Sequence, residues 1–308
     1  MSGINHITIV GAGAMGCLFA ARLGEAGVTV TLVDTDAARI AAIRADGVAI
    51  HDDDGDRVVR VEACTAAEAG PTGLVVLFTK GMHSAAAIRS VAHLAGGETL
   101  ALTLQNGLGN AEAIAEVFPA DRILIGATDL PADLRLPATV SSHGVGHIWL
   151  GAFAGASAGT VDAVATLLNR GRLNAVADPG VQVSIWEKVA FNAALNALAT
   201  ITGLTVGGMD TPAGRRIAAG VVAETVATAA AHGIVLDRGR IDAKVDHALA
   251  NHRRHKASML QDREAGRRTE IETINGAIVR AAEAKGVATP VTATLADLVR
   301  LIEEPGVV

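Results

Sequence analysis

Residues 6–34 read HITIVGAGAMGCLFAARLGEAGVTVTLVD, and this stretch restricts the rest of the chain more than any other. A β-branched run leads directly into three glycines, Gly11, Gly13 and Gly16, then into a helical segment ending at Gly27, then into a second β-branched run. In a chain with 34 glycines a GxGxxG is a weak signal by itself. Between a strand and the first turn of a helix, each glycine gains a physical role. Gly11 permits the tight turn, Gly13 lets backbone approach a pyrophosphate, and Gly16 lets helix and strand pack closely. The unpaired N–H groups and partial positive charge of the helix start suit phosphate oxygens. The loop Gly11, Gly13, Ala14, Met15, Gly16 is therefore expected to bind the phosphates of a dinucleotide; the plain alternative is a strand–turn–helix with spare glycines.

The following segments continue the alternation. Strand-like VTVTLVD (28–34), GLVVLFTK (73–80) and TLALTL (99–104) are separated by helical segments, which implies a parallel sheet with right-handed crossovers. From about residue 120 the strands become shorter and partly antiparallel, with a helix near 157–169. After Pro179 nothing reads as a strand, and residues 181–303 carry long Ala-rich helical patterns. The expectation is an α/β dinucleotide-binding domain over 1–178 and an all-α domain over 179–308. Two packed domains of opposite class are expected to leave a cleft for a ligand.

Length supports two domains at about 150 residues each, and half of the 308 residues are hydrophobic, enough for sizeable cores. The net charge of −6 is mild and spread out, and there is no Tyr and only five Phe. That composition argues against nucleic acid, which wants a concentrated basic surface or stacking platforms. Cys17 and Cys64 form no CxxC pair and read as small buried hydrophobes. The opening residues lack a basic, apolar leader, and no run reaches the ~20 apolar residues of a membrane span. A cytoplasmic protein without membrane association is expected.

Asp34 ends the second strand and is followed by Thr35. A carboxylate there accepts hydrogen bonds from ribose hydroxyls and repels a 2′-phosphate, so NAD(H) is favoured and NADP(H) is the alternative. Asp34 could instead cap the next helix, a role for which Asp36 competes, and Arg39 and Arg44 lie near enough in sequence to hold a phosphate. At the ends of the next two strands stand Lys80 and Asn106, positions where open α/β sheets bind ligands. Lys80 reads as a phosphate or substrate contact or as a solvated loop lysine. Asn106, before Gly107, reads as a ribose or substrate contact or as a turn-former.

A polar row runs through the apolar segment SIWEKVAFNAALNALAT (184–200): Ser184, Lys188, Asn192 and Asn196 recur every fourth residue. Each step turns a helix about 40° past a full circle, so the four form one slowly winding stripe. A solvent face would use Lys, Glu, Arg or Gln, whereas Asn is a poor helix former. Two mid-helix Asn residues point to a polar partner. A second cluster, SMLQDREAGRRTEIETING (258–276), offers Ser258 and, in an expected helix, Glu270 and Glu272.

With GAGAMG, TK, LQNGLGN, GHIWLG, WEKVAFNAALNALATITG and HKASMLQDREAGRRTEIETINGAIVRAAEAKGVATP in this order, the chain resembles the ketopantoate reductase family over essentially its whole length. The resemblance implies a Rossmann-type domain followed by an all-helical domain, and reduction of a 2-oxo acid by a nicotinamide cofactor. It implies Lys188 as general acid, Asn192 and Asn196 on the substrate's hydroxyls, and Ser258 on its carboxylate. Glu270 would orient the substrate and pair with Lys188 at some stage, with Lys80 and Asn106 serving cofactor and substrate. The chemistry suits these residue types, because reduction of a ketone leaves an alkoxide that an adjacent ammonium stabilises and protonates. Two departures bear on the substrate and cofactor. Thr35 stands where NADP-using members carry Arg, and the run before Ser258 is HRRHKA, where many members carry Asn or Pro.

Other chemistries find less support. His143 and His147, or His252 and His255 beside Arg253, Arg254 and Lys256, lack the carboxylates or thiolates of a metal site. No Walker loop occurs. The readings left are ketopantoate reduction, reduction of another 2-oxo acid on the same scaffold, and a non-catalytic nucleotide-binding regulator. A related β-hydroxyacid dehydrogenase also carries Lys-x-x-x-Asn but would lack the SMLQD…TEI string. The expected partner is a small 2-oxo acid, and the apolar helical half suggests a homodimer.

Overall fold

The computed structural model describes residues 4–135 and 137–304. Its chain divides into two compact units, one formed by residues 1–105 and 110–181, the other by 106–109 and 182–308.

The first unit is built on β1 (His6–Val10), α1 (Ala14–Glu25), β2 (Thr29–Val33), α2 (Ala37–Asp46), β3 (Val48–Asp52), β4 (Gly55–Val59), β5 (Glu62–Cys64) and β6 (Leu74–Leu77). It continues with α3 (Ser84–Ser90), β7 (Leu100–Thr103), α4 (Asn110–Ala115), β8 (Ile123–Thr128), β9 (Asp133–Arg135), β10 (Thr139–Ser142), β11 (Ile148–Ala152), α5 (Ala158–Arg170) and β12 (Ala175–Ala177). The larger sheet has the order β12-β11-β8-β7-β6-β1-β2-β5. Six of its strands, β5, β2, β1, β6, β7 and β8, are parallel neighbours. Counted along the chain without the small second sheet, that is the 3-2-1-4-5-6 order of dinucleotide-binding folds. Strands β6 (LVVL) and β8 (ILIGAT) are buried at every residue, as expected where helices cover both faces of a parallel sheet. β11 adds antiparallel to β8, the change of direction expected after residue 120.

Residues 48–59, to which the sequence reading assigned no element, form two of the four strands of a second sheet of order β4-β3-β10-β9. Its hairpin turns at Asp53–Asp54 into Gly55, whose φ of +106° suits glycine. Charge fastens it to α1. The Asp52 side chain, 1 % exposed, accepts from Arg57 at 2.6 Å and Arg22 at 3.4 Å, and Arg57 also binds Glu25. Hydrogen bonding from Arg57, then from the Asp54 amide, and the charges of Arg57 and Arg22 hold the Asp52 carboxyl below its ordinary range against the opposing effect of burial.

The second unit consists of α6 (Val181–Thr202), α7 (Pro212–Ala231), α8 (Arg238–Asn251), α9 (Ser258–Glu264), α10 (Asn275–Glu283) and α11 (Pro290–Glu303). Small residues of α6, among them Ala190, Ala193, Ala194 and Ala197, are fully buried with Trp186, Val221, Ile241 and Ile278. Glu224 of α7 caps α11, accepting from the amides of Val291 at 2.9 Å and Thr292 at 2.8 Å. On α6 the buried Glu187 accepts from Arg240 of α8 at 3.0 Å, fixing the rotation of α6 about its axis. Among the described residues no helix is long and apolar enough to cross a membrane.

Candidate active site

In the first unit the three loop glycines have distinct surroundings. Gly11 has φ +105°, and a Cβ there would stand 2.9 Å from the Phe78 carbonyl carbon. On Gly16 it would stand 1.9 Å from the Gly11 carbonyl oxygen, so only glycine lets the loop close on itself. Gly13 differs: its Cβ position meets no atom within 4 Å. Gly13 is also the N-cap of the 12-residue α1, whose cap receives no side-chain hydrogen bond and whose first turn has no acidic residue. An open N-terminus with its amides uncapped suits an anion, and Ala14 and Met15, the first residues of α1, are half-buried beside it. The residues present fit a dinucleotide pyrophosphate.

Asp34 does more than terminate β2. Its Oδ2 accepts from the Ala12 amide at 2.7 Å, and its Oδ1 from the amides of Thr35 and Asp36 at 2.8 and 2.9 Å. The carboxylate thus ties the end of β2 to the glycine loop. Asp36, not Asp34, is the side-chain cap of α2, accepting from the Arg39 amide at 3.1 Å. Arg39 lies 3.5 Å from Asp34 and 3.7 Å from Asp36, and Arg44 is engaged by Glu68 at 3.2 Å.

Past β6 and β7 a network joins the two strand ends. Gln105 Nε2 donates to the Thr79 carbonyl at 2.6 Å and to Ser84 Oγ at 2.9 Å, while Ser84 Oγ donates to Asn110 Oδ1 at 3.0 Å. The half-buried Lys80 is held in the turn between Thr79 and Ser84. Sequence reading passed over Gln105 and Ser84, since neutral polar residues without motif spacing give no signal of their own.

In the second unit α6 carries Ser184, Lys188 and Asn192 half-buried and Asn196 buried. From Lys188 to Asn196 the helix rises about 12 Å. The Asn106–Gly109 segment belongs to this unit and packs on the turn that contains Glu270. Asn106 Nδ2 donates to Glu270 Oε2 at 3.4 Å, and the Leu108 amide donates to the Thr273 carbonyl at 2.8 Å. The structure thus brings Asn106 and Glu270 together across 164 positions.

Glu270 does not lie in a helix, contrary to expectation. It is a buried residue of the turn before α10, which begins only at Asn275. The Glu270 carbonyl accepts from the amides of both Thr273 and Ile274 at 3.1 Å, and Thr269 Oγ1 takes the Ile271 amide at 3.3 Å. These bonds close a compact turn instead of a continuous helix. Glu272 is held ionised, its carboxyl lowered first by hydrogen bonds from Arg300 against partial burial, then by the Arg300 charge and by Arg280. Ser258 opens α9 and is exposed. No three His, Cys, Asp or Glu side chains gather as metal ligands among the described residues.

A 3-2-1-4-5-6 parallel sheet with an uncapped glycine loop, joined to a helical unit bearing a half-buried lysine, defines a pyridine-nucleotide-dependent oxidoreductase. The chain belongs to the ketopantoate reductase family: residues 7–155 match the model described as "Ketopantoate reductase PanE/ApbA" and residues 181–303 its C-terminal counterpart. It is 33 % identical to the 2-dehydropantoate 2-reductase of Halobacterium salinarum over 98 % of this chain and 100 % of that one. With the 2-dehydropantoate 2-reductase of Streptococcus pyogenes it shares 31 % identity over 96 % of this chain and 97 % of the relative. Among solved structures, D-mandelate dehydrogenase with NADH and anilino(oxo)acetate superimposes with TM-score 0.93 at 30 % identity, over 97 % of this chain and 98 % of that one. The 2-dehydropantoate 2-reductase of Geobacter metallireducens gives 0.89 at 30 %, over 96 % and 99 %. Family and neighbours together make this chain a reductase of a 2-oxo acid, which removes the non-catalytic regulator from the readings.

Proposed function

We propose that this chain reduces 2-dehydropantoate to pantoate with NADH as its preferred reductant. The observation that carries the reading is the row on α6. An ammonium, Lys188, and two carboxamides, Asn192 and Asn196, recur at helical spacing in a helix whose neighbouring residues are mostly buried and apolar. When bound, the reduced nicotinamide supplies hydride to the substrate's 2-oxo carbon. Lys188 meets the negative charge that develops on the oxo oxygen and gives it a proton, worth roughly 10²–10⁴-fold in rate. Asn192 and Asn196 hold hydroxyls, Glu270 orients the substrate with Asn106, and Ser258 receives the carboxylate. In the first unit, Gly11, Gly13, Ala14, Met15 and Gly16 hold the pyrophosphate and Lys80 a further polar group of the cofactor.

Asp34 supports NADH, since its carboxylate disfavours a 2′-phosphate, and the neighbour of TM-score 0.93 was solved with NADH. That neighbour also supports a second reading, a bulkier 2-oxo acid such as an aryl-substituted one. Cys17 and Cys64 are buried free thiols, the state a reducing cytoplasm maintains. Oxidation of NADH and NADPH with 2-dehydropantoate, benzoylformate and short 2-oxo acids tests the reading. Highest kcat/KM for 2-dehydropantoate with NADH is expected; preference for NADPH, or for benzoylformate, overturns the corresponding part.

A further inference from the structure

We infer that Asn275 is a positioning residue for this reaction, setting the spacing between the Lys188 helix and the Glu270 turn; the inference rests on the reading just given. Asn275 is the first residue of α10 and is fully buried. Its Nδ2 donates to the carbonyl of Ala193 at 3.1 Å. Ala193 lies in the middle of α6, between Asn192 and Asn196. A mid-helix carbonyl serves the amide four residues on and keeps a second lone pair, which this bond uses. The orientation of the amide follows, since the flipped form would set oxygen against oxygen.

On its other side Asn275 is rigidly connected to Glu270. The Glu270 carbonyl accepts from the amides of both Thr273 and Ile274, and the Gly276 amide donates to the Ile271 carbonyl at 2.9 Å. These bonds tie residues 270–276 into one turn, so the bond that holds Asn275 to α6 also constrains the Glu270 backbone. Asn106 and Leu108 hold the same turn from another direction. The turn is clamped twice, once by the 106–109 segment and once by α6.

Stability alone does not account for an asparagine here. Its Oδ1 is buried without a hydrogen-bond partner, a penalty that an apolar side chain of similar volume would avoid. The amide is retained at a cost, and the one bond it makes joins the two segments carrying the proposed acid and its carboxylate.

The test uses Asn275→Leu, which removes the donor and the orphaned oxygen together, and Asn275→Asp, which keeps the shape but cannot donate when ionised. Both are expected to lower kcat 10- to 100-fold on the best 2-oxo acid, with KM for NADH unchanged and the pH profile of kcat displaced. A folded Asn275→Leu enzyme with kcat within twofold of the parent and the same pH profile overturns the inference. If Leu does not fold, Asn275→Ser, which retains a donor in less space, is compared per folded molecule with Asn275→Asp, and equal kcat in the two overturns it. A parent enzyme inactive on every 2-oxo acid defeats the functional reading instead. The positioning role is then read from the Lys188 methyl signals after reductive methylation, assigned with Lys188→Arg among the chain's five lysines. Their titration is expected to shift in Asn275→Leu, and an unchanged titration refutes the role.

Discussion

A methyl group on Gly107 would stand 2.1 Å from the carbonyl oxygen of Thr273, three residues past Glu270. Backbone meets backbone there, with φ +90° at Gly107, so neither side can yield by a rotamer change. Gly107→Ala is expected to push the turn away, break the bond from the Leu108 amide and cost about 1–3 kcal/mol or more. Gly109 has φ +89° but nothing within 4 Å of its Cβ position, so Gly109→Ala bears the strain without the collision. Thermal melts and kcat of the two variants check this: Gly107→Ala loses more of both.

Lys188 is half-buried on α6, and its removal leaves the buried face of the helix intact. Lys188→Ala is expected to keep its melting temperature within a few degrees while kcat falls about 10²–10⁴-fold. Lys188→Arg should not rescue it, because a guanidinium keeps its proton throughout the accessible pH range.

Gly13 and Gly16 separate binding from folding. Gly13→Ala meets no atom of the chain, whereas Gly16→Ala collides with the Gly11 carbonyl. Calorimetric titration with NADH should show weakened binding in both, with the melting temperature lowered only in Gly16→Ala. A Gly13→Ala protein binding NADH as tightly as the parent would remove the pyrophosphate from that loop.

Asp34 holds three backbone amides besides its proposed role at the ribose. Asp34→Ala is expected to lose stability and to narrow the ratio of kcat/KM for NADH over NADPH, since the charge facing a 2′-phosphate is gone. A ratio unchanged from the parent assigns Asp34 to structure alone.

Asp52 gives the first unit a defined acid response. A carboxyl whose folded-state pKa is depressed contributes stability above its ordinary value of about 3.9. That contribution is lost as pH falls below about 4 through the depressed folded value. The melting temperature should therefore drop steeply below about pH 4. Asp52→Asn should melt lower at neutral pH and show a flatter dependence on acid; equal slopes would contradict the assignment.

Much of the first unit was legible because its determinants are local. GLVVLFTK and TLALTL read as buried strands, and the glycines of GAGAMG stand where strand becomes helix, whereas ILIGAT, expected among shorter and partly antiparallel strands, is a fully buried strand parallel to β7. The β3–β4 hairpin was not legible: four Asp in HDDDGDR and an exposed β4 mask the strand pattern, and its stability depends on Arg22 and Glu25 of α1. On α6 the Asn residues stood out because helices disfavour them. The Glu270 turn was misread as helix, since Ile271, Ile274 and Ile278 fall at helical spacing. What breaks the helix, two amides sharing the Glu270 carbonyl, has no sequence signature. The partnership of Asn106 with Glu270 and the bond from Asn275 to Ala193 span 164 and 82 positions, and only the fold brings them together.

The most direct measurement is the loss of NADH absorbance when the purified chain meets 2-dehydropantoate, with Lys188→Ala run in parallel. Rapid oxidation by the parent enzyme, with pantoate formed in equal amount, and a drop of at least a hundredfold in the folded variant are the expected result. Oxidation at the same rate in both proteins, or in neither, would contradict a reductase that works through the Lys188 ammonium.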